Sequence, residues 1–146
     1  MKFLILLLAA GSLFTFTACE NDAKITEEKS DSAIMADSAN YTSIQWIDST
    51  NQQLSKVTEG QVVDISWRFK NTGDKPLIIS SVSAGCGCTA SDPPKEPVAP
   101  GEEGVIRAKF DSKNQVGHPT KSVTVQANTK ESGVHNLTFS IEVTKE

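Results

Sequence analysis

Histidine is nearly absent from this chain: His118 and His135 are the only two. Neither sits in a recognisable motif, so the commonest general base has little chance of standing beside an oriented nucleophile. His118 precedes Pro119 in a loop after Gly117. His135 falls at a strand start just beyond Gly133, where a solvent-facing residue is expected. Basic clusters are absent as well, because lysines and arginines are scattered among acidic residues and the formal net charge is -4. Neutralising phosphates requires a clustered basic surface, so a nucleic acid or an anionic membrane surface is disfavoured as partner. There is no phosphate-cradling Gly-rich loop and no four-ligand zinc spacing. The acidic pairs Glu27-Glu28 and Glu102-Glu103 fall in a tether and a turn, where solvation explains them. These absences point away from an enzyme, a bound cofactor and a small-molecule substrate.

Cysteine is scarce too, with three residues, and Cys19 stands far from Cys86 and Cys88. That separation assigns two unrelated jobs. Lys2 precedes an apolar run from Phe3 to Ala10, which is followed by small and aromatic residues ending in Phe16-Thr17-Ala18-Cys19; beyond it the chain turns polar at once. This is a signal-peptide profile over residues 1–18. Its apolar run is too short to span a bilayer, which takes about 20 apolar residues. A cysteine directly after small Thr17 and Ala18 looks like a lipoprotein signal, although Phe16 stands where Leu is usual. Lipidation of Cys19 is therefore expected. Each buried CH₂ contributes about 0.8 kcal/mol, so more than one acyl chain anchors stably. The expected location is the bacterial cell envelope, with the membrane as one partner through the anchor.

Hydrophobic residues make up 38% of the chain and charged residues 22%, which excludes both a polytopic membrane protein and a wholly disordered one. Residues 19–41 read as the lipidated cysteine and a flexible tether rich in Asp, Glu, Ser, Lys and Ala, with a short helix through Ala33 to Ala36 as the alternative. Asp31-Ser32-Ala33 and Asp37-Ser38-Ala39 resemble an O-glycosylation signal of one bacterial group, and ordinary composition explains them equally. Residues 42–146 change character. Val63, Ile65, Trp67 and Phe69 alternate with Asp64, Ser66, Arg68 and Lys70, which predicts a strand with one dry and one wet face. The same period recurs at Ile106, Ala108 and Phe110, at Val123, Val125 and Ala127, and at Leu137, Phe139, Ile141 and Val143. Ile44 and Trp46 supply a first strand, and Leu77 to Val82 a further one. About seven short strands without a helical stretch predict an all-β, immunoglobulin-like sandwich.

Phe69-Lys70-Asn71-Thr72-Gly73, Pro76-Leu77-Ile78-Ile79, Ser83-Ala84-Gly85-Cys86-Gly87-Cys88-Thr89 and Pro97-Val98-Ala99-Pro100-Gly101-Glu102 carry a resemblance to domain-of-unknown-function family 1573. That family is similar to the immunoglobulin-like Hydin and major-sperm-protein class. The resemblance covers residues 44 to 143, and it implies a fold and an exported location but no activity.

The candidate site is Gly85, Cys86, Gly87, Cys88 and Thr89. Three readings stay open. Two thiolates suit Cu(I), though no third ligand is evident. A disulfide or redox-active pair suits an oxidising compartment. A glycine-flanked bend with small cysteines packed beneath it needs neither. A flat strand opposes the disulfide, because it holds the two Cα atoms about 6.5 to 7 Å apart, but Gly87 lacks a Cβ and can take positive φ, so a local kink there can bring the sulfurs into reach. Two functions follow: a non-catalytic module that binds an envelope protein or glycan by edges or loops, or a thiol- or copper-handling lipoprotein.

Overall fold

The computed structural model describes residues 37–145. The expected signal peptide, Cys19 and Ser32 lie outside the described residues. The last part of the expected tether, Asp37 to Tyr41, carries one 3-10 turn at Ser38–Asn40, which Asp37 caps by accepting the Ala39 N–H at 3.0 Å. Ser38 is exposed there.

The strands are β1 (Ile44–Trp46), β2 (Asn51–Gln53), β3 (Val57–Thr58), β4 (Val62–Asn71), β5 (Ile79–Ala84), β6 (Thr89–Asp92), β7 (Glu103–Asp111), β8 (Thr120–Ala127), β9 (Val134–Ser140) and β10 (Val143–Thr144). One sheet has the order β1-β4-β7-β6, the other β2-β9-β8-β5, and β10 pairs with β3. Several of these are pieces of longer strands. β1, β2 and β3 form one interrupted edge strand that leaves β4 antiparallel and joins β9 and β10 in parallel; β9 and β10 are likewise one strand broken at Ile141-Glu142. Counted so, seven strands build the expected immunoglobulin-like sandwich.

The alternation in the sequence becomes the core. Trp67, Phe69, Ile106, Phe110, Val123, Val125, Leu137 and Phe139 are fully buried. Phe139 of one sheet meets Trp67 and Phe110 of the other, with ring centroids 6.4 and 5.5 Å apart. Gly104 faces Phe69, and any Cβ there would run into the ring, so β7 packs on β4 only with glycine at that position.

The expected strand at Leu77 to Val82 is corrected. Three consecutive residues, Leu77, Ile78 and Ile79, are buried, which a strand with one wet face does not allow. Leu77 instead makes a separate bridge with Val98, the Ile78 N–H goes to Asn128 Oδ1 at 2.7 Å, and the strand runs later, to Ala84. Two buried asparagines fasten these loops. Asn71 Oδ1 accepts from Thr42 Oγ1 and from the Gly73 N–H, while Nδ2 donates to the carbonyls of Lys75 and Val98. Asn128 Nδ2 donates to the carbonyls of Asn40 and Pro76.

Candidate functional site

Gly85 to Thr89 form the turn between β5 and β6, at one end of the sandwich. The Gly85 N–H donates to Ser122 O at 2.9 Å, and a Cβ on Gly85 would approach Ser122 Oγ to 2.8 Å, so glycine lets the chain stay this close to β8. The Thr89 N–H donates to Cys86 O at 3.2 Å, closing a β-turn, and the Asp111 N–H donates to Cys88 O at 2.9 Å. This turn shortens the Cys86 to Cys88 Cα separation to 5.3 Å, and the two sulfurs are joined in a disulfide. Of the three readings of the pair, the structure carries the disulfide. The kink that closes it is this β-turn, formed without positive φ at Gly87. Among the described residues no group of three His, Cys, Asp or Glu is placed to hold a metal ion, so the copper reading gains no third ligand for Cys86 and Cys88.

Cys88 packs against the hydrophobic core. Cys86 has the Thr89 hydroxyl 3.6 Å from its sulfur, and Thr89 itself is buried. Gly85 and Gly87 on either side of Cys86 are exposed.

The expectation that His135 faces solvent is overturned. It pairs across the sheet with buried Val125, so it lies on the inner side of β9 in phase with Leu137 and Phe139. That shared parity was the signal in the sequence. Half-buried, it meets Trp46 edge-on at 5.9 Å and lines a small cavity of about 140 Å³ with Ser43, Ile44, Trp46, Thr129, Lys130 and Glu131. Burial lowers its pKa below the usual histidine range, while nearby Glu131 and the Ser132 carbonyl oppose that shift. Its Nε2 lies 2.8 Å from Thr129 Oγ1. The same hydroxyl contacts Ser132 O, and the tautomer of the ring decides whether His135 donates to Thr129 or accepts from it. His118, the other histidine, is exposed in the loop before β8.

The outward face of the first sheet carries a wider feature. A shallow cleft of about 470 Å³ crosses β4, β7 and β6, lined by Asp64, Ile65, Ser66, Ser91, Arg107, Ala108 and Lys109. Register brings Asp64 opposite Lys109 and Ser66 opposite Arg107 on this face. The Lys109 to Asp64 pair, at 3.6 Å, is exposed and adds little stability. Arg68, Lys70, Glu103 and Asp111 continue the same face with charges of both signs. The neighbouring edge of β4 is closed off beyond β1: Asp48 accepts the Arg68 N–H and grips its guanidinium, and Gln52 Nε2 donates to Ser66 O at 2.9 Å. Those bonds from Arg68 lower the Asp48 pKa. Side chains that cap an edge keep other strands from adding to it.

The paired sheets and their strand order define an immunoglobulin-like β-sandwich domain. The chain belongs to the family described as "Protein of unknown function (DUF1573)", which matches residues 45–143. It is similar in fold to a protein of unknown function from Porphyromonas gingivalis W83, at 15% identity and a TM-score of 0.63, covering 73% of this chain and 49% of that one. This chain thus spans about half of that protein's length. The ASH / PapD-like domain 7 of human CEP192 superposes at 8% identity and a TM-score of 0.54, covering 73% of this chain and 89% of that domain. The chaperone YadV follows at 12% identity and a TM-score of 0.50, covering 68% and 51%. At such identities the likeness concerns the fold alone. No curated protein matches the chain.

Proposed function

We propose that this chain is a non-catalytic, lipid-anchored binding module of the bacterial cell envelope, which holds a segment of another envelope protein with a complementary charge pattern on the outward face of its first sheet. The observation that carries the reading is the cleft across β4, β7 and β6. Among the described side chains its face interleaves Arg68, Lys70, Arg107 and Lys109 with Asp64, Glu103 and Asp111, and Asp48 holds the Arg68 guanidinium. Interleaved charges of both signs fix the register of a partner and select one whose charge pattern is complementary. Edge addition to β4 is disfavoured by the Asp48 and Gln52 caps, so the face is preferred to that edge. The signal profile ending at Cys19 supports placement at a membrane surface, where an anchor raises the local concentration of such a partner.

The test is charge reversal in the cleft. Arg107→Glu with Lys109→Glu should cut recovery of the envelope partner about tenfold or more relative to the parent chain, with an unchanged melting temperature. A Lys130→Glu control outside the cleft should retain recovery. Equal recovery with the cleft pair and the control contradicts the reading.

A further inference from the structure

The disulfide is poorly placed to hold the fold. It closes a loop of only three residues, and the stabilisation expected from restricting an unfolded chain falls with loop length. Three main-chain hydrogen bonds already fix the turn around it, from Gly85 N, Thr89 N and Asp111 N. Its two ends also differ. Cys88 packs on the core, whereas Cys86 lies between two exposed glycines and has a hydroxyl beside its sulfur. A Cβ on Gly87 would meet nothing within 4 Å, so the outer side of the turn is open to an incoming chain.

We propose that Cys86 and Cys88 form a thiol-exchange site for a polypeptide that carries two thiols, with Cys86 as the sulfur that partners attack and Cys88, which packs on the core, as the resolving sulfur. A partner thiolate attacks Cys86 Sγ; the Cys86 to Cys88 bond breaks, and its electron pair leaves on Cys88, which takes up a proton. The mixed disulfide is then attacked at the partner's sulfur by the partner's second thiolate. The bond to Cys86 breaks, and the electron pair stays on Cys86 Sγ, where the Thr89 hydroxyl donates to the thiolate before protonation. The partner's dithiol ends as a disulfide and the Cys86 and Cys88 pair as a dithiol, with two electrons and two protons moved. Run backwards, the reduced pair opens a partner disulfide. Thr89 is a positioning residue in this scheme, since stabilising the thiolate lowers its pKa and improves it as a leaving group.

Full-length single-cysteine variants of the pair test the assignment with oxidised glutathione as probe. Cys88→Ser leaves Cys86 as the exchange sulfur and should form the glutathione adduct about tenfold faster than Cys86→Ser at pH 7. Adding Thr89→Val to Cys88→Ser should slow the adduct and move its pH midpoint upward, and Thr89→Ser should restore both. Peptide mass mapping keeps Cys19 apart. If a variant fails to fold, brief alkylation of the reduced parent chain reports the same preference, with Cys86 labelled first. Reduction should leave the circular dichroism unchanged. Equal rates, faster reaction at Cys88, indifference to Thr89→Val, or unfolding on reduction each overturns the proposal and makes the bond a structural staple.

Discussion

Trp67 offers the most demanding check of the packing, because two replacements separate its volume from its polar atom. The side chain is fully buried at the centre of β4, across from Ile106, with the Phe139 ring 6.4 Å away. Trp67→Ala removes the whole indole and leaves a cavity that rigid sheets refill poorly, so a loss of about 3 to 5 kcal/mol is expected. For a domain of this size that is a fall in melting temperature of about 12 °C or more. Trp67→Phe is different. The indole Nε1 finds no acceptor among the described residues, so a benzyl ring forfeits volume and no hydrogen bond. Its cost should stay near about 1 to 2 kcal/mol. Urea unfolding followed by far-ultraviolet circular dichroism measures both. A loss below about 1 kcal/mol for Trp67→Ala means that β4 faces the other way. A Phe variant as damaged as the Ala variant means that the indole N–H has a partner.

Asn71→Ala should cost about 3 kcal/mol, because it removes the partner of the buried Thr42 hydroxyl together with those of the Gly73 N–H and the Lys75 carbonyl; urea titration checks it. For His135, the folded pKa lies below the unfolded one, so the unfolded chain takes up a proton first and stability falls as pH drops through the ordinary histidine range. His135→Gln should flatten that decline between about pH 7 and 5 in thermal melts, and an unchanged pH profile contradicts the burial argument. Cys19→Ala should abolish acyl labelling and release the protein from membranes; a variant that still carries acyl chains is no lipoprotein through this residue.

Long alternating segments were readable because their period matches a half-wet sheet: β4, β7, β8 and β9 stand where the spacing of Ile65, Ile106, Val123 and Leu137 put them. The edge strand β6 was not, because its four residues are too few to show a period. Nor was β2, whose Asn51-Gln52-Gln53 pairs through main-chain bonds with β9 and offers no apolar rhythm. At Leu77-Ile78 hydrophobicity misled, since Leu77 is held by a single bridge to Val98 and the Ile78 N–H by Asn128 rather than by the β5 ladder. The cysteine pair was visible as a site, but its linkage was not, because the shortening comes from the hydrogen bond of Thr89 N to Cys86 O. His135 was misplaced by its nearness to a turn, although its parity with Leu137 and Phe139 carried the answer.

The most direct measurement of the proposed function is crosslinking from within the cleft in intact cells. A photoreactive side chain placed at Ser66, on the outward face between Asp64 and Arg68, should give one discrete adduct with an envelope protein. The same group at Gln126, exposed on β8 of the opposite sheet, should give none. An adduct from Gln126 with nothing from Ser66 would contradict the account, and so would no adduct from either.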